Sequence, residues 1–183
     1  EAREEFDEDI QPLQADKKTM GMSCLMQLRE TDREQTYTPP PWAKTFATCE
    51  ELPFRDHNFK RTNWWWIELG GENDSIHDTE TLRNRLLAIT FGVWDHVKNR
   101  CPKHRDAARN WVLDWVGFLP GKRESRRYVG DYIMTQNDVR AEGRFDDLVA
   151  YGGWSMDDHH PGGFDYDGQP TIFHSAPSPF GIS

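Results

Sequence analysis

The sequence predicts an α+β fold whose sheet is mixed and largely antiparallel, packed by one long and one shorter helix. Three observations carry this prediction: short strand-like segments, one long amphipathic segment, and no regular alternation of strand and helix. Parallel strands need crossovers of about a dozen residues or more, which usually form helices. Irregularly spaced strands with few helices are therefore typical of an α+β domain. A chain of 183 residues is long enough for one domain with a real core.

Two strands are predicted in the first seventy residues. Along residues 20–29, apolar side chains alternate with small or polar ones, and this period of two indicates a strand with one buried, Met-rich face. Residues 64–69 (Trp-Trp-Trp-Ile-Glu-Leu) favour the pleated conformation and are followed by a Gly pair. Alternation along this second strand places Glu68 on the same face as Trp66.

One long helix and one shorter helix are predicted in the middle of the chain. Asp78 is a plausible N-cap for a helix that runs to about Arg100. A second helix is predicted at residues 105–113, after Pro102 breaks the chain, with Ala108, Trp111 and Val112 buried. The long helix has apolar residues at three- and four-residue steps, which indicates an amphipathic stripe against a sheet: Leu82, Leu86, Ile89, Phe91, Val93, Trp94 and Val97.

The remaining segments are shorter. Residues 1–18 are acidic and polar and are predicted to have little structure of their own. An arginine-bearing strand is expected next, with Tyr128, Gly130, Tyr132 and Met134 on the face of Arg126. A polar turn at 136–138 and strands at 145–151 and 171–174 should follow. The rest of the last thirty residues is predicted to be loop, because it is rich in Gly, Pro, Asp and His.

Composition excludes two classes of function. Acidic residues outnumber basic ones by 31 to 22, giving a net charge of −9. Such a charge argues against nucleic acid as a partner, because affinity for nucleic acid comes mainly from neutralised phosphates. No apolar run reaches the roughly 18 residues that a membrane helix needs, so we expect no membrane partner.

The cysteines predict buried free thiols. Cys24, Cys49 and Cys101 are odd in number, far apart and without a CxxC pair. This set is a poor disulfide framework and offers no spacing typical of a zinc or iron–sulfur site, so no metal is predicted. Reduced thiols favour a cytoplasmic location.

A cationic cluster stands out in this acidic chain. Lys122, Arg123, Arg126 and Arg127 surround a single carboxylate, Glu124. Guanidinium groups hold carboxylates and phosphates in two-pronged geometry, so the cluster predicts a bound anion or a buried acid. The alternative is a solvated strand end with surface ion pairs that contribute little stability.

Glu68 is a second candidate, because it lies among tryptophans on an otherwise apolar strand. A buried carboxylate needs a partner or a raised pKa, which would suit a base. Pairing with an arginine of the 123–127 block is the favoured prediction. Trp66 is a candidate contact to substrate, although the tryptophans fit a core equally.

The run 157–160 (Asp-Asp-His-His) is a third candidate. Histidine titrates near neutral pH, so His159 and His160 could transfer protons, with Asp158 and His174 as neighbouring polar contacts. The spacings of typical metal sites are missing from this run, and a loop histidine that only binds the backbone is the alternative.

Five blocks occur in order along the chain: 19–23 (Thr-Met-Gly-Met-Ser), 64–72 (Trp-Trp-Trp-Ile-Glu-Leu-Gly-Gly-Glu), 91–99 (Phe-Gly-Val-Trp-Asp-His-Val-Lys-Asn), 119–127 (Leu-Pro-Gly-Lys-Arg-Glu-Ser-Arg-Arg) and 153–161 (Gly-Trp-Ser-Met-Asp-Asp-His-His-Pro). Together they resemble the interior of the bacterial FAD-dependent oxidoreductases that lie near the heterodisulfide-reductase A group. The resemblance implies a substrate-binding, or cap, domain whose flavin is bound mainly by segments before and after it. A GxGxxG fingerprint does not occur in this sequence.

The resemblance, taken together with the residue candidates above, gives the predicted site and partners. The arginine block would lie near the flavin ring, and substrate would contact the following residues: Arg123, Glu124, Arg126, Arg127, Trp66, Glu68, Asp158 and His174. The catalytic candidates are His159 and His160, the cofactor is FAD, and the partners are a small-molecule substrate and a flavin domain of the same polypeptide. Since the chain begins at Glu1 and ends in a turn-rich run, we expect an interior piece of a longer protein, inactive by itself. The alternatives are a carbohydrate-binding module and a purely structural or assembly domain.

Overall fold

The structure is a computed structural model that describes residues 5–10, 12–124 and 130–183. The chain divides into two compact units. The larger unit comprises Thr19–Ser125 and His160–Pro170. The smaller unit comprises Glu1–Lys18, Arg126–His159 and Thr171–Ser183.

The larger unit contains two small antiparallel sheets. In the first, β1 (Met22–Ser23) lies between β3 (Glu68–Leu69) and β5 (Gly121–Lys122). In the second, β2 (Met26–Glu30) pairs with β4 (Trp111–Val116). Each strand is short, and the longest of them, β4, has 6 residues.

The strand predicted from residue 20 is confirmed, although it is divided between β1 and β2. Met22, Cys24 and Met26 are all buried, as the alternation predicted. The break falls between the two strands, where the Cys24 amide donates to the Ile67 carbonyl. This bond lets β1 and β2 pair with different partners.

The strand predicted across the tryptophans is wrong for residues 64–67. Only Glu68–Leu69 is extended, because Trp64 has a φ of 65° and the Ile67 amide donates to the Trp64 carbonyl at 3.0 Å. These features make a turn. Trp64 and Trp66 are nevertheless buried, so the aromatic run contributes to the core without forming a ladder.

The long helix is confirmed. Helix α1 spans Thr79–Asp95 with Asp78 at its N-cap position, and a π-helical turn, His96–Arg100, continues it. The predicted stripe faces the core, except that Phe91 is only half-buried. The turn ends where the Cys101 amide donates to the His96 carbonyl at 2.7 Å.

The helix predicted at 105–113 is wrong. Residues 102–110 form consecutive turns, and strand β4 then begins at Trp111. Residues 111–116 (Trp-Val-Leu-Asp-Trp-Val) contain mostly residues that favour strands, and the edge of β2 supplies a pairing partner. Ala108 is buried as predicted.

A single hydrophobic cluster fills the larger unit. It joins α1 to both sheets and to the segment between β2 and β3. Its fully buried side chains include Trp94, Phe46, Met22, Ile67, Leu69, Leu82, Leu86, Val93 and Val97. The buried Lys98 lies beside it and donates to the carbonyls of Ala108 and Arg109, whose dipoles compensate its charge.

The smaller unit contains helix α2 (Gln136–Arg140) and two antiparallel pairs. Strand β6 (Ala150–Gly152) pairs with β9 (Phe180–Ile182), and β7 (Met156–His159) pairs with β8 (Thr171–His174). The strand at 171–174 is therefore confirmed. The turn predicted at 136–138 is instead a helix, because Thr135 and Asp138 form a capping box.

Three other predictions for the smaller unit differ from the structure. The strand predicted at 145–151 is shifted to Ala150–Gly152, and β7 and β9 occupy segments predicted to be loop. The arginine-bearing strand is not found at residues 130–134, where Asp131 and Tyr132 form a bend, and its residues 126–129 lie outside the described residues. The N-terminal segment contacts α2, since the Gln136 amide donates to buried Glu8.

The α+β fold class is confirmed. Every strand pair in the described residues is antiparallel, with one long helix and one short helix. Within these residues no helix combines the length and apolar character that crossing a bilayer requires.

Candidate functional site

Glu68 is a buried residue of β3, in the first sheet of the larger unit. Glu68 is 2 % exposed, and its Oε1 accepts a hydrogen bond from the Gly21 amide at 3.2 Å. Its Oε2 lies 3.7 Å from Nη1 of Arg123. The predicted pairing of Glu68 with an arginine of the 123–127 block is therefore confirmed.

Glu124 also accepts a hydrogen bond from the protein backbone. Its Oε2 accepts a hydrogen bond from the Met20 amide at 2.7 Å, just before β1 begins. Carboxylates from β3 and from the segment after β5 therefore hold the two residues that lead into β1. Contact of Arg123, Glu124 or Glu68 with a substrate stays a prediction. Arg126 and Arg127 lie outside the described residues.

A cleft of about 340 Å³ opens beside the tryptophan turn of the larger unit. Trp65 and Trp66 form an aromatic wall, while Arg61, Asn63 and Gln169 supply charged and amide groups. The indole nitrogen of Trp66 donates to the Asp56 carbonyl at 2.8 Å, so this ring is fixed. Trp66 is almost fully buried, so it offers little surface to the cleft.

Arg55 lies between two residues that line this cleft, Phe54 and Asp56. It is 4 % exposed, and its guanidinium donates to four carbonyl oxygens, those of Pro53, Gly163, Tyr166 and Gly168. Burial lowers the pKa of this arginine, although four carbonyl dipoles compensate the charge. The segment that leads to Gln169 and Pro170 is thereby tied to the segment before the tryptophan turn.

His160 belongs to the same unit, but it does not line this cleft. Its ring stacks on Tyr166 with centroids 3.5 Å apart, and its Nδ1 accepts from the Gly162 amide. Because Nδ1 is the acceptor, the proton of a neutral ring sits on Nε2. His160 is thus oriented to donate a hydrogen bond through Nε2, and its catalytic role stays a prediction.

The β7–β8 pair of the smaller unit brings two acid–histidine pairs together. His159 Nε2 lies 3.0 Å from Asp157 Oδ2, and His174 Nε2 lies 3.6 Å from Asp158 Oδ2. Register places the first pair on one face of the ladder and the second on the other. The His159 side chain is 4 % exposed, which favours a positioning role over direct proton transfer to a substrate.

A group of thiols and imidazoles lies at the end of α1. The potential ligand atoms of Cys49, His57, His96 and Cys101 all lie within 4.8 Å of one another. Burial raises the pKa of the Cys49 thiol and lowers that of the His96 imidazole. These residues come from different segments of the chain, so the sequence analysis missed the group.

Two comparisons return nothing. Neither a curated protein nor a solved structure matches the chain significantly. A comparison with family models gives one match, to the FAD dependent oxidoreductase family, over residues 5–183. This match covers nearly the whole chain, including both units and all of the clusters described above. The protein therefore belongs to the FAD dependent oxidoreductase family.

Proposed function

We propose that this chain is the substrate-binding portion of an FAD-dependent oxidoreductase. In this proposal an organic substrate binds in the cleft beside Trp65 and Trp66 and is oxidised by loss of a hydride and a proton. Flavin, when bound, supplies the two-electron acceptor. The finer resemblance to bacterial enzymes near the heterodisulfide-reductase A group belongs to the same proposal.

The cleft is the observation that carries this proposal. Its volume of about 340 Å³ suits a small molecule, and its aromatic wall lies beside donors and acceptors. Arg61 is exposed, and within the described residues no ion pair occupies its guanidinium. A carboxylated metabolite or a sugar with a free carboxylate would match this combination. No finding supports the alternative of a non-enzymatic carbohydrate-binding module.

The described residues do not fit the diphosphate of FAD. A dinucleotide-binding turn joins a parallel strand to the N-terminus of a helix, where amide groups face the phosphates. Here every described strand pair is antiparallel, and the start of α1 is surrounded by Asp74, Asp78 and Glu80. These carboxylates repel phosphate. The proposal therefore assigns flavin binding to a flavin domain of the same polypeptide.

The roles of the remaining predicted residues extend the proposal. His160, which lies outside the cleft, would donate a hydrogen bond through Nε2, and His159 would be held by Asp157 as a positioning residue. The proton lost by the substrate would pass to solvent at the open cleft. Arg126 would bind an anionic group of the substrate. The Asp158–His174 pair and the Arg123–Glu68 pair would support the surrounding backbone.

The test is a comparison of variants of the full-length flavoprotein. A panel of hydroxy acids and sugar acids is first screened for anaerobic bleaching of the flavin absorbance. For an active compound, Arg61→Ala and Trp65→Ala are expected to raise KM by about tenfold or more, because they remove binding contacts. The same variants should change kcat much less.

Arg29→Ala is the matched control. Arg29 is exposed on β2 and pairs with Asp114 outside the cleft, so its loss should leave KM unchanged. Equal KM values for Arg61→Ala and the unmodified enzyme would place the substrate elsewhere. A full-length protein that binds no flavin would overturn the proposal as a whole.

A further inference from the structure

The thiol–imidazole group at the end of α1 has the dimensions of a metal site. Sγ of Cys49 lies 3.5 Å from both Sγ of Cys101 and Nε2 of His96. Bond lengths of about 2.3 Å to sulfur and 2.0–2.1 Å to nitrogen give tetrahedral edges of about 3.3–3.8 Å. The measured separations fall within this range, and the whole group spans no more than 4.8 Å.

Both histidines are oriented as ligands. Nδ1 of His96 lies 3.0 Å from the Phe46 carbonyl, and Nδ1 of His57 lies 2.8 Å from the Arg55 carbonyl. A carbonyl oxygen can only accept, so each Nδ1 carries the proton and each Nε2 keeps a lone pair. Histidine ligands of metals typically donate their other ring N–H in this way.

The lone pair of His57 is the independent observation. Its Nε2 is buried and has no hydrogen-bond partner among the described residues. A buried nitrogen without a partner costs free energy, which a bound ion would offset. Since Nδ1 of His57 donates to the Arg55 carbonyl, Nε2 is the nitrogen that this residue can offer to the group.

Three segments of the chain supply the four side chains. Cys49 begins a 3₁₀ turn (Cys49–Glu51). Thr48 and Glu51 form a capping box at its start, in which the Glu51 side chain accepts from the Thr48 amide. His96 and Cys101 are linked by the π-helical hydrogen bond at the end of α1. His57 comes from the segment fixed by Arg55. Irregular π turns inside helices are frequent at functional sites.

We propose that Cys49, His57, His96 and Cys101 bind one Zn²⁺ in a closed tetrahedral site. Two sulfur and two nitrogen ligands favour zinc among the common divalent ions. Two thiolates balance the charge of the ion, which suits a buried position. Four protein ligands leave no open coordination position, so the ion is structural and joins the loop before β3 to the end of α1. This inference does not depend on the proposed substrate cleft.

The first measurement is the metal content of the purified full-length protein by mass spectrometry. One zinc per chain is the expected result. Replacement of zinc by Co²⁺ should give a thiolate-to-cobalt charge-transfer band. It should also give intense visible bands of tetrahedral cobalt at wavelengths longer than flavin absorption. Both readouts use the unmodified protein, so they do not depend on whether a variant folds.

Variants then identify the ligands. The double variant Cys49→Ser/Cys101→Ser should lose the metal, and His57→Gln should weaken zinc affinity by about tenfold or more. Cys24→Ser is the thiol control, since Cys24 bonds the Gly117 carbonyl and a hydroxyl can do the same. His104→Gln is the imidazole control: its ring lies 5.5 Å from that of His57 but is not part of the group.

Several outcomes would overturn the proposal. The protein could contain no stoichiometric metal while both thiols remain free, or it could contain iron in place of zinc. Intact-protein mass spectrometry could instead show a disulfide between Cys49 and Cys101, whose sulfur atoms are already adjacent. Retention of zinc by the double serine variant would place the metal elsewhere.

Discussion

At the scale of single residues, backbone carbonyls orient the polar side chains more often than other side chains do. Arg55, His57, His96 and Lys98 all bind main-chain oxygen atoms. Buried polar groups need partners, and an irregular backbone between short elements offers many unpaired carbonyls. The positions of these side chains therefore depend on loops that bear no periodic pattern.

A pH prediction belongs to this scale. Asp74 accepts hydrogen bonds from the amides of His77 and Ile76 and from the His77 ring, which lowers its pKa to about 2. The same carboxylate raises the pKa of His77 above 6.5 through a hydrogen bond and charge. NMR titration should show both shifts, and Asp74→Asn should return the His77 pKa towards 6.5.

Asp74 and His77 contribute to stability in different pH ranges, because the pKa of one is lowered and the pKa of the other is raised. The raised pKa of His77 stabilises the fold below 6.5, and this contribution is lost as the pH rises through the folded value. The lowered pKa of Asp74 stabilises above 3.8 and is lost as the pH falls through about 2. Asp78→Asn is the control, because Asp78 adds only a weaker charge effect on His77. An unshifted His77 in the unmodified protein would contradict the predicted contact.

At the scale of elements, the backbone at Lys44, in the segment before Cys49, packs closely against α1 at Gly92. Gly92 allows the Lys44 backbone to touch the helix, and the Lys44 amide donates to the Ala88 carbonyl. Two residues later, the Phe46 carbonyl lies beside His96. A glycine within a helix, usually unfavourable, here sets the position of an adjoining loop.

Gly92→Ala is expected to destabilise the protein by about 2 kcal/mol, the typical cost of overpacking. An added Cβ would overlap the Lys44 carbonyl oxygen, so the loop must move away. In an unobstructed helix interior the same change stabilises by about 0.5–1 kcal/mol. The measurement is urea unfolding of both proteins.

Gly121→Ala is the control for this element. Its added Cβ would meet only the Ser23 carbonyl oxygen, at 3.9 Å, and the position is exposed. Its effect should stay within about 0.5 kcal/mol. Equal or greater stability of Gly92→Ala would show that the loop does not pack on the helix as described.

At the scale of the whole molecule, the larger unit combines one hydrophobic cluster with the proposed metal site. An ion that binds only the folded state stabilises it by mass action, by about 4 kcal/mol at a thousand times Kd. Each kcal/mol shifts Tm by about 2–4 °C for a protein of this size. The proposed zinc therefore couples loop geometry to global stability.

Removal of zinc by a strong chelator is expected to lower Tm by roughly 10 °C, on the same mass-action estimate. Differential scanning calorimetry with and without chelator measures the change, and restored zinc should reverse it. The Cys49→Ser/Cys101→Ser variant should have a low Tm that no longer responds to chelator. An unchanged Tm in the unmodified protein would rule out a stabilising ion.

The sequence determined by itself those features that a local pattern encodes. The Met-rich buried face, the amphipathic stripe of α1, the strand at 171–174 and the ordered blocks of the family could each be recognised within a short window. The pairing of Glu68 with an arginine was also predictable, because a buried carboxylate needs a cation. Family membership followed from blocks spread along the chain.

Only the tertiary structure decided where the strand edges and the polar clusters lie. Residues 111–116 favour a strand locally, but their pairing partner, β2, lies more than eighty positions earlier in the sequence and no local pattern identifies it. Cys49 meets His96 and Cys101 across 47 and 52 positions of sequence, and the loop between them follows no period. Contacts of this kind arise from chain packing, so a linear pattern of residues cannot reveal them.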